Sequence, residues 1–327
     1  MTTTQSSIVG RSKERAVEEN RRIRKVIKSR PTLEGAGVHL HRAIGFGAPE
    51  LYDPFLLLDD FRSDEPEHYR RGFPWHPHRG METITYVLRG QVEHADSLGN
   101  RGAISPGDVQ WMTAGSGIIH QEMPKGDPSG AMHGFQLWAN LPAANKMMAP
   151  RYRGVTSAEI PEVEDPSGAR IKIIAGTALG VTGPVRDVVT APEYLDVSLP
   201  PGAAFTHPTP RGHTVFAYVI GGMGVFCQQK DPYSYDVEGE SYFDMKRDRL
   251  IGDRHLVHFG DGDAVSVATE GDSVRFLLIS GKPIGEPIAW AGPIVMNTQE
   301  ELRTAFDELD MGTFIKDGER LGRGTPR

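Results

Sequence analysis

Between Met81 and Asn140 turn signals recur about every ten residues, and they leave only strand-length segments between them. Arg89-Gly90, Pro106-Gly107-Asp108 and Gly115-Ser116-Gly117 separate short runs: Met81–Leu88, Gln91–Asp96, Val109–Thr113 and Ile118–Met123. No intervening segment is long enough for a crossover helix. This excludes βαβ units and predicts an antiparallel β-sandwich or barrel. The 38 glycines and 24 prolines of the 327-residue chain supply the turns.

The same order returns further on. Tyr194–Leu199, a turn at Pro200-Pro201-Gly202, Thr214–Ile220, a turn at Gly221-Gly222, Gly260–Asp263, Val265–Val267 and Val274–Ile279 repeat the pattern of the first block. The chain therefore reads as all-β, with two antiparallel barrels and a few short peripheral helices. The expected division is an N-terminal extension over 1–30, a first barrel over 31–145 and a second over 146–327. Residues 1–10 read as disordered and 11–27 as a charged peripheral helix. A polar insertion, 230–253, interrupts the second barrel and is a candidate recognition loop. A helix is expected over 299–309, where Thr298 can cap and Glu301 can close a capping box.

Charge narrows the function classes. The net charge of −7 argues against bulk nucleic-acid binding. The stretch from Arg11 to Arg30 holds nine Lys/Arg and three Asp/Glu, and is read as a solvated basic face. A single cysteine, Cys227, excludes an internal disulfide, suits a reducing compartment and reads as a core residue. No apolar run approaches 18 residues, and Met1–Ser7 has no signal-peptide core, so the cytoplasm is the expected location.

Chemistry concentrates in two places. His76-Pro77-His78 is answered 44 residues later by His120-Gln121-Glu122. Residues two apart on a strand share a face. His76 with His78, and His120 with Glu122, can therefore converge as three imidazoles and one carboxylate. That set suits a divalent first-row transition metal with coordination positions to spare. Glu82 also lies an even number of residues from His76 and His78. It competes with Glu122 for the carboxylate role, or acts as an acceptor orienting a ligand imidazole.

The strings Phe73–Gly80, Pro106–Gly117 and His120–Pro124 resemble the hallmark stretches of the pirin family of the cupin superfamily. The resemblance is strongest over residues 30–145 and extends, less sharply, to Ala291–Thr298. It implies a bicupin with one non-haem iron in the first barrel, held by His76, His78, His120 and Glu122. It favours Fe(II), with another divalent first-row metal as the alternative. It also implies a quercetin 2,3-dioxygenase-like activity toward a flavonol-like aromatic substrate and O2. Glu122 would then be the catalytic base that takes the flavonol 3-hydroxyl proton. Other pirins are regulators. The competing reading is thus an iron-dependent redox sensor that binds a transcription factor or metabolic enzyme.

Around this site Phe73, Trp75, Trp111, Met112, Met123, Phe135 and Trp138 divide between core and cavity wall in a way that sequence cannot sort. His133 is a candidate for the cavity rim. Arg79 is a candidate for steering an anion, though solvent exposure or a structural ion pair is the simpler expectation. In the second half His207 and His213 lack an H-x-E partner, and His255 and His258 lie three apart. The second barrel is expected to be metal-free.

Overall fold

The computed structural model describes residues 19–229, 231–239 and 247–316. Residues 1–18, which include the expected disordered start, lie outside this set, as do 230 and 240–246 of the insertion.

In the first lobe, a seven-stranded antiparallel sheet takes the order Arg151–Val155, Val109–Thr113, Met81–Arg89, His133–Asn140, Phe55–Asp60, Val38–Ile44 and Arg30–Glu34. A four-stranded sheet, Phe73–His78, Ile118–Lys125, Gln91–Asp96 and Arg101–Ile104, faces it. Val38, Leu40, Val87, Val92 and Ile104 pack between the two. The outer face of the larger sheet is also covered. Ile84, Tyr86, Phe135 and Leu137 pack there against Tyr194, Phe216, Tyr218 and Leu277 of the second lobe. Burial on both faces explains why Met81–Val87 is buried at every position, although Glu82, Thr83 and Thr85 are polar. Along this strand, alternate residues face the lobe junction and the interior of the first lobe.

The second lobe repeats the β architecture. Its interior is filled by Val197, Val215, Ala217, Val219, Phe226 and Phe276 among others. Cys227 packs against this core but is only partly buried. Among the described residues the hydrogen-bonded ladders of neither lobe close into a continuous barrel.

Two segments cross the boundaries expected from sequence. The first correction concerns the N-terminal extension. Ile23–Lys28 is a strand, not part of a helix. It pairs antiparallel with His255–Phe259 and parallel with Asp236–Glu238 in the second lobe. Its apolar residues Ile23, Val26 and Ile27 have the spacing of a helical stripe, but all three are buried in the strand. The long-range pairing overrides the local pattern. Nor is the basic face wholly solvated. Arg21 is buried, and its guanidinium donates to Thr209 Oγ1 and to the carbonyls of Gly260 and Pro210. A parallel correction applies at residue 145, because Arg151–Val155 completes the first lobe's sheet through Val109–Thr113.

The C-terminal segment crosses back. The hairpin Ala289–Ala291/Ile294–Met296 leads into the helix Gln299–Asp310. Thr298 and Glu301 form the expected capping box at its start. Leu302, Ala305 and Phe314 pack with Ile294, Met296 and Ile119, which seats the tail against the first lobe.

Candidate metal centre

The local sequence explains how the histidines are presented. Phe73–His78 pairs with Ile118–Lys125 so that His76 faces His120 and His78 faces Ile118. The inward positions of the second strand are Ile118, His120 and Glu122, all buried. The three imidazoles pack as a cluster, with ring centroids 4.4–4.9 Å apart. One nitrogen of each lies within 4.8 Å of the others.

Their protonation suits a metal. His76 Nδ1 is 2.7 Å from the Pro74 carbonyl, which can only accept, so Nδ1 carries the proton and Nε2 presents a lone pair. His76 Nε2 lies 3.0 Å from His120 Nε2. That is the separation of neighbouring ligands around an ion held at about 2.1 Å. Burial pushes all three imidazoles down in pKa, His78 and His120 strongly, and mutual repulsion adds to the effect in those two. They are neutral at pH 7, as metal ligation requires. His78 Nδ1 is buried without a hydrogen-bond partner among the described residues, and the Pro293 backbone opposes the fall in the ring's pKa. Three neutral nitrogens converging in a buried site fit a divalent metal.

Glu122 lines the same cavity as His76 and His78. Burial pushes its carboxyl up to about 7 against the opposing hydrogen bond from Thr85. Thr85 Oγ1 lies 2.8 Å from Glu122 Oε1 and 2.8 Å from Gln136 Oε1. A single hydroxyl proton serves one acceptor at a time. With Glu122 ionised it goes to the carboxylate, and a half-turn of the Gln136 amide then brings its NH2 to Thr85. Thr85 and Gln136 were invisible as site residues in the sequence. Only the period-2 alternation of their strands hinted at an inward face.

Glu82 takes neither role expected of it. Its Oε1 accepts from Thr113 Oγ1 at 2.6 Å, and among the described residues no imidazole bonds to it. The strand carrying the histidines ends at His78, and Arg79-Gly80 turns the chain, with Gly80 at φ +76°. Counting parity across that turn fails, because the turn resets which way side chains face. Glu82 lies on the opposite face of its strand from Thr85. Imidazole orientation comes from the Pro74 carbonyl instead.

Arg79 is structural. Its guanidinium is buried, donates to the carbonyls of Ser116 and Phe314, pairs with Glu308 and lies over the Phe314 ring. Lys146, also buried, donates to the carbonyls of Gly80 and Val295 and to Asn140 Oδ1. Together they tie the turn after the histidine strand to the C-terminal segment.

The cavity at the histidines measures about 390 Å³, within the usual range for small-molecule sites. Phe73, Trp75 and Trp138 line it, whereas Trp111, Met112 and Phe135 are core residues. Gly292 and Pro293 of the returning tail complete the wall. A larger cavity of about 610 Å³ opens elsewhere, lined by His39, His41, His68 and His133. His133 thus faces that cavity and not the rim of the metal site. Among the described residues only His76, His78 and His120 form a group able to hold a metal. In the second lobe, His207 Nε2 bonds Glu193 Oε1 at 2.9 Å.

Comparison with known proteins agrees with this geometry. The pirin family model matches residues 37–139, and the pirin C-terminal cupin domain model matches 194–315. A pirin-like protein of Caulobacter vibrioides is 42% identical over 295 residues, covering 90% of this chain and 99% of its own. Human pirin is 40% identical over 284 residues, covering 86% of this chain and 89% of its own. A crystal structure of quercetin 2,3-dioxygenase from Acinetobacter baumannii superposes with a TM-score of 0.78 at 29% identity, over 90% of this chain and 98% of that one. With both halves matched in order and relatives aligned over most of their length, this all-β, two-lobed chain belongs to the pirin family of the cupin superfamily.

Proposed function

We propose that the protein is a non-haem iron dioxygenase that cleaves quercetin-type flavonols with O2, with Fe(II) held by His76, His78, His120 and Glu122. The observation that carries this reading is the cluster of three neutral imidazoles, His76, His78 and His120, two of which share an aromatic-lined cavity with the buried Glu122 carboxyl. The kinship with a quercetin 2,3-dioxygenase structure supports the substrate class.

Phe73, Trp75 and Trp138 offer flat apolar surface to an aromatic substrate and exclude water from it. Glu122 is the general base. Thr85 holds its Oε1, while Oε2 has no hydrogen-bond partner among the described residues. Oε2 takes the proton of the flavonol 3-hydroxyl. In the metal-free protein burial raises the Glu122 carboxyl above the ordinary glutamate range, and a bound cation would act against that rise. Divalent iron, when bound, supplies Lewis acidity toward the resulting enolate and redox chemistry toward O2. The overall change is addition of O2 to the flavonol with loss of carbon monoxide.

The test is O2 uptake and CO release by the iron-loaded protein when quercetin solutions pass from anaerobic to aerobic. Glu122→Gln, reloaded with metal, is expected to lose roughly 100-fold or more in kcat, the scale of a general base. Wild-type turnover in that variant would exclude Glu122 as the base. No O2 uptake by fully loaded wild type across a panel of flavonols would favour the redox-regulator reading instead.

A further inference from the structure

A row of polar residues crosses the interior face of the first lobe's large sheet. Arg42 pairs in register with Asp59, Asp59 with Gln136, and Gln136 with Thr85. Directly opposed residues point to the same side, and Arg42, Asp59 and Gln136 all line the metal cavity. Leu40, Leu57, Phe61 and Trp138 flank the row on the same wall. The row begins at Thr85, which holds Glu122. It ends at an ion pair two strand spacings away, about 10 Å from Thr85 to Asp59.

That pair keeps hydrogen-bonding capacity. Arg42 Nε donates to Asp59 Oδ1 at 2.8 Å and Nη2 to Oδ2 at 2.7 Å, while Nη1 meets Glu34 at 2.8 Å. Each Asp59 oxygen retains a lone pair, and each terminal nitrogen of Arg42 retains a second proton. Burial holds the Asp59 carboxyl at about 6 even with two charge-assisted bonds. Arg42 and Asp59 are largely buried where they line the cavity, so a polar ligand there could complete their hydrogen bonding. Its free donor lies beside its free acceptor. The complement is a pair of adjacent groups, one donating and one accepting.

We propose that Arg42 and Asp59 form a recognition subsite for the aryl ring that the substrate carries beside its reacting enol, selecting flat phenols that bear vicinal hydroxyls at the far edge of that ring. This rests on the flavonol reading above. One hydroxyl donates to Asp59 and its neighbour accepts from Arg42, while the enol end sits at Glu122. A ring without hydroxyls seated between Leu57, Phe61 and the pair would exclude water from the remaining donors and acceptors without replacing its hydrogen bonds, which disfavours it.

The experiment is anaerobic titration of the metal-loaded protein with quercetin and with galangin, a flavonol lacking hydroxyls on that ring, read by quenching of tryptophan fluorescence. Wild type is expected to bind quercetin roughly tenfold or more tightly than galangin, the scale of one or two added hydrogen bonds. Asp59→Asn is expected to reduce that ratio severalfold. The double variant Arg42→Met/Asp59→Leu replaces the pair with apolar volume, so the fold survives; it should bring the ratio to about one while galangin affinity holds or rises. Equal binding of the two flavonols by wild type would overturn the subsite and leave the dioxygenase reading standing. So would an equal loss for both ligands in the double variant. Failure of both flavonols to bind would overturn both.

Discussion

His76 and His120 face each other across a strand ladder with their Nε2 atoms 3.0 Å apart. The Pro74 carbonyl keeps the proton of His76 on Nδ1, so its Nε2 is an acceptor. In the metal-free protein a proton on His120 Nε2 bridges the two rings. For a metal ion to take both Nε2 lone pairs, His120 must shift its single ring proton to Nδ1, a change of tautomer with no net release of a proton from these neutral rings.

Metal content follows from this pair. About one divalent ion per chain is expected by the single-site argument. Elemental analysis should show it lost in His76→Ala and in His120→Ala, and retained in the double variant His207→Ala/His213→Ala. Unchanged content in the first two variants would remove the proposed site. Two ions per chain, one of them lost in the double variant, would place a second centre in the other lobe.

Val26 tests the exchanged strand. It is buried in the core of the second lobe. Val26→Ala is expected to cost about 2 kcal/mol in urea unfolding, the usual scale for removing buried methyl groups. Amides of Ile23–Lys28 should exchange slowly with solvent. Fast exchange throughout this stretch, or an unchanged midpoint in the variant, would contradict its pairing with His255–Phe259.

His258 gives a pH dependence. Burial, helped by Arg24, Lys25 and Arg21, depresses its imidazole to about 4 from 6.5. A depressed folded-state pKa means that the unfolded chain binds a proton between these limits and the folded chain does not. Its contribution is complete above pH 6.5 and is lost as pH falls toward 4, amounting to roughly 3 kcal/mol. His258→Phe should flatten the stability profile over this window in urea titrations at fixed salt. An unchanged slope would show that His258 is protonated in the folded state.

What could be read from the chain alone was whatever depends on neighbours a few residues away. The His76/His78 and His120/Glu122 pairs follow from the two-residue period of a strand, and the capping box at Thr298 and Glu301 follows from helix geometry. The family hallmarks are likewise contiguous strings. Tertiary structure decided the rest. The turn at Gly80 sent Glu82 to the opposite face, a change of direction that counting residues cannot see. Ile23, Val26 and Ile27 suit a helix or a strand equally. Their fate was settled by a partner more than 200 residues away. The row from Arg42 to Thr85 exists only because four strands align in register, and no local spacing links those residues. Register is set by the burial of whole faces across the sheet, a non-local term that sequence windows do not contain.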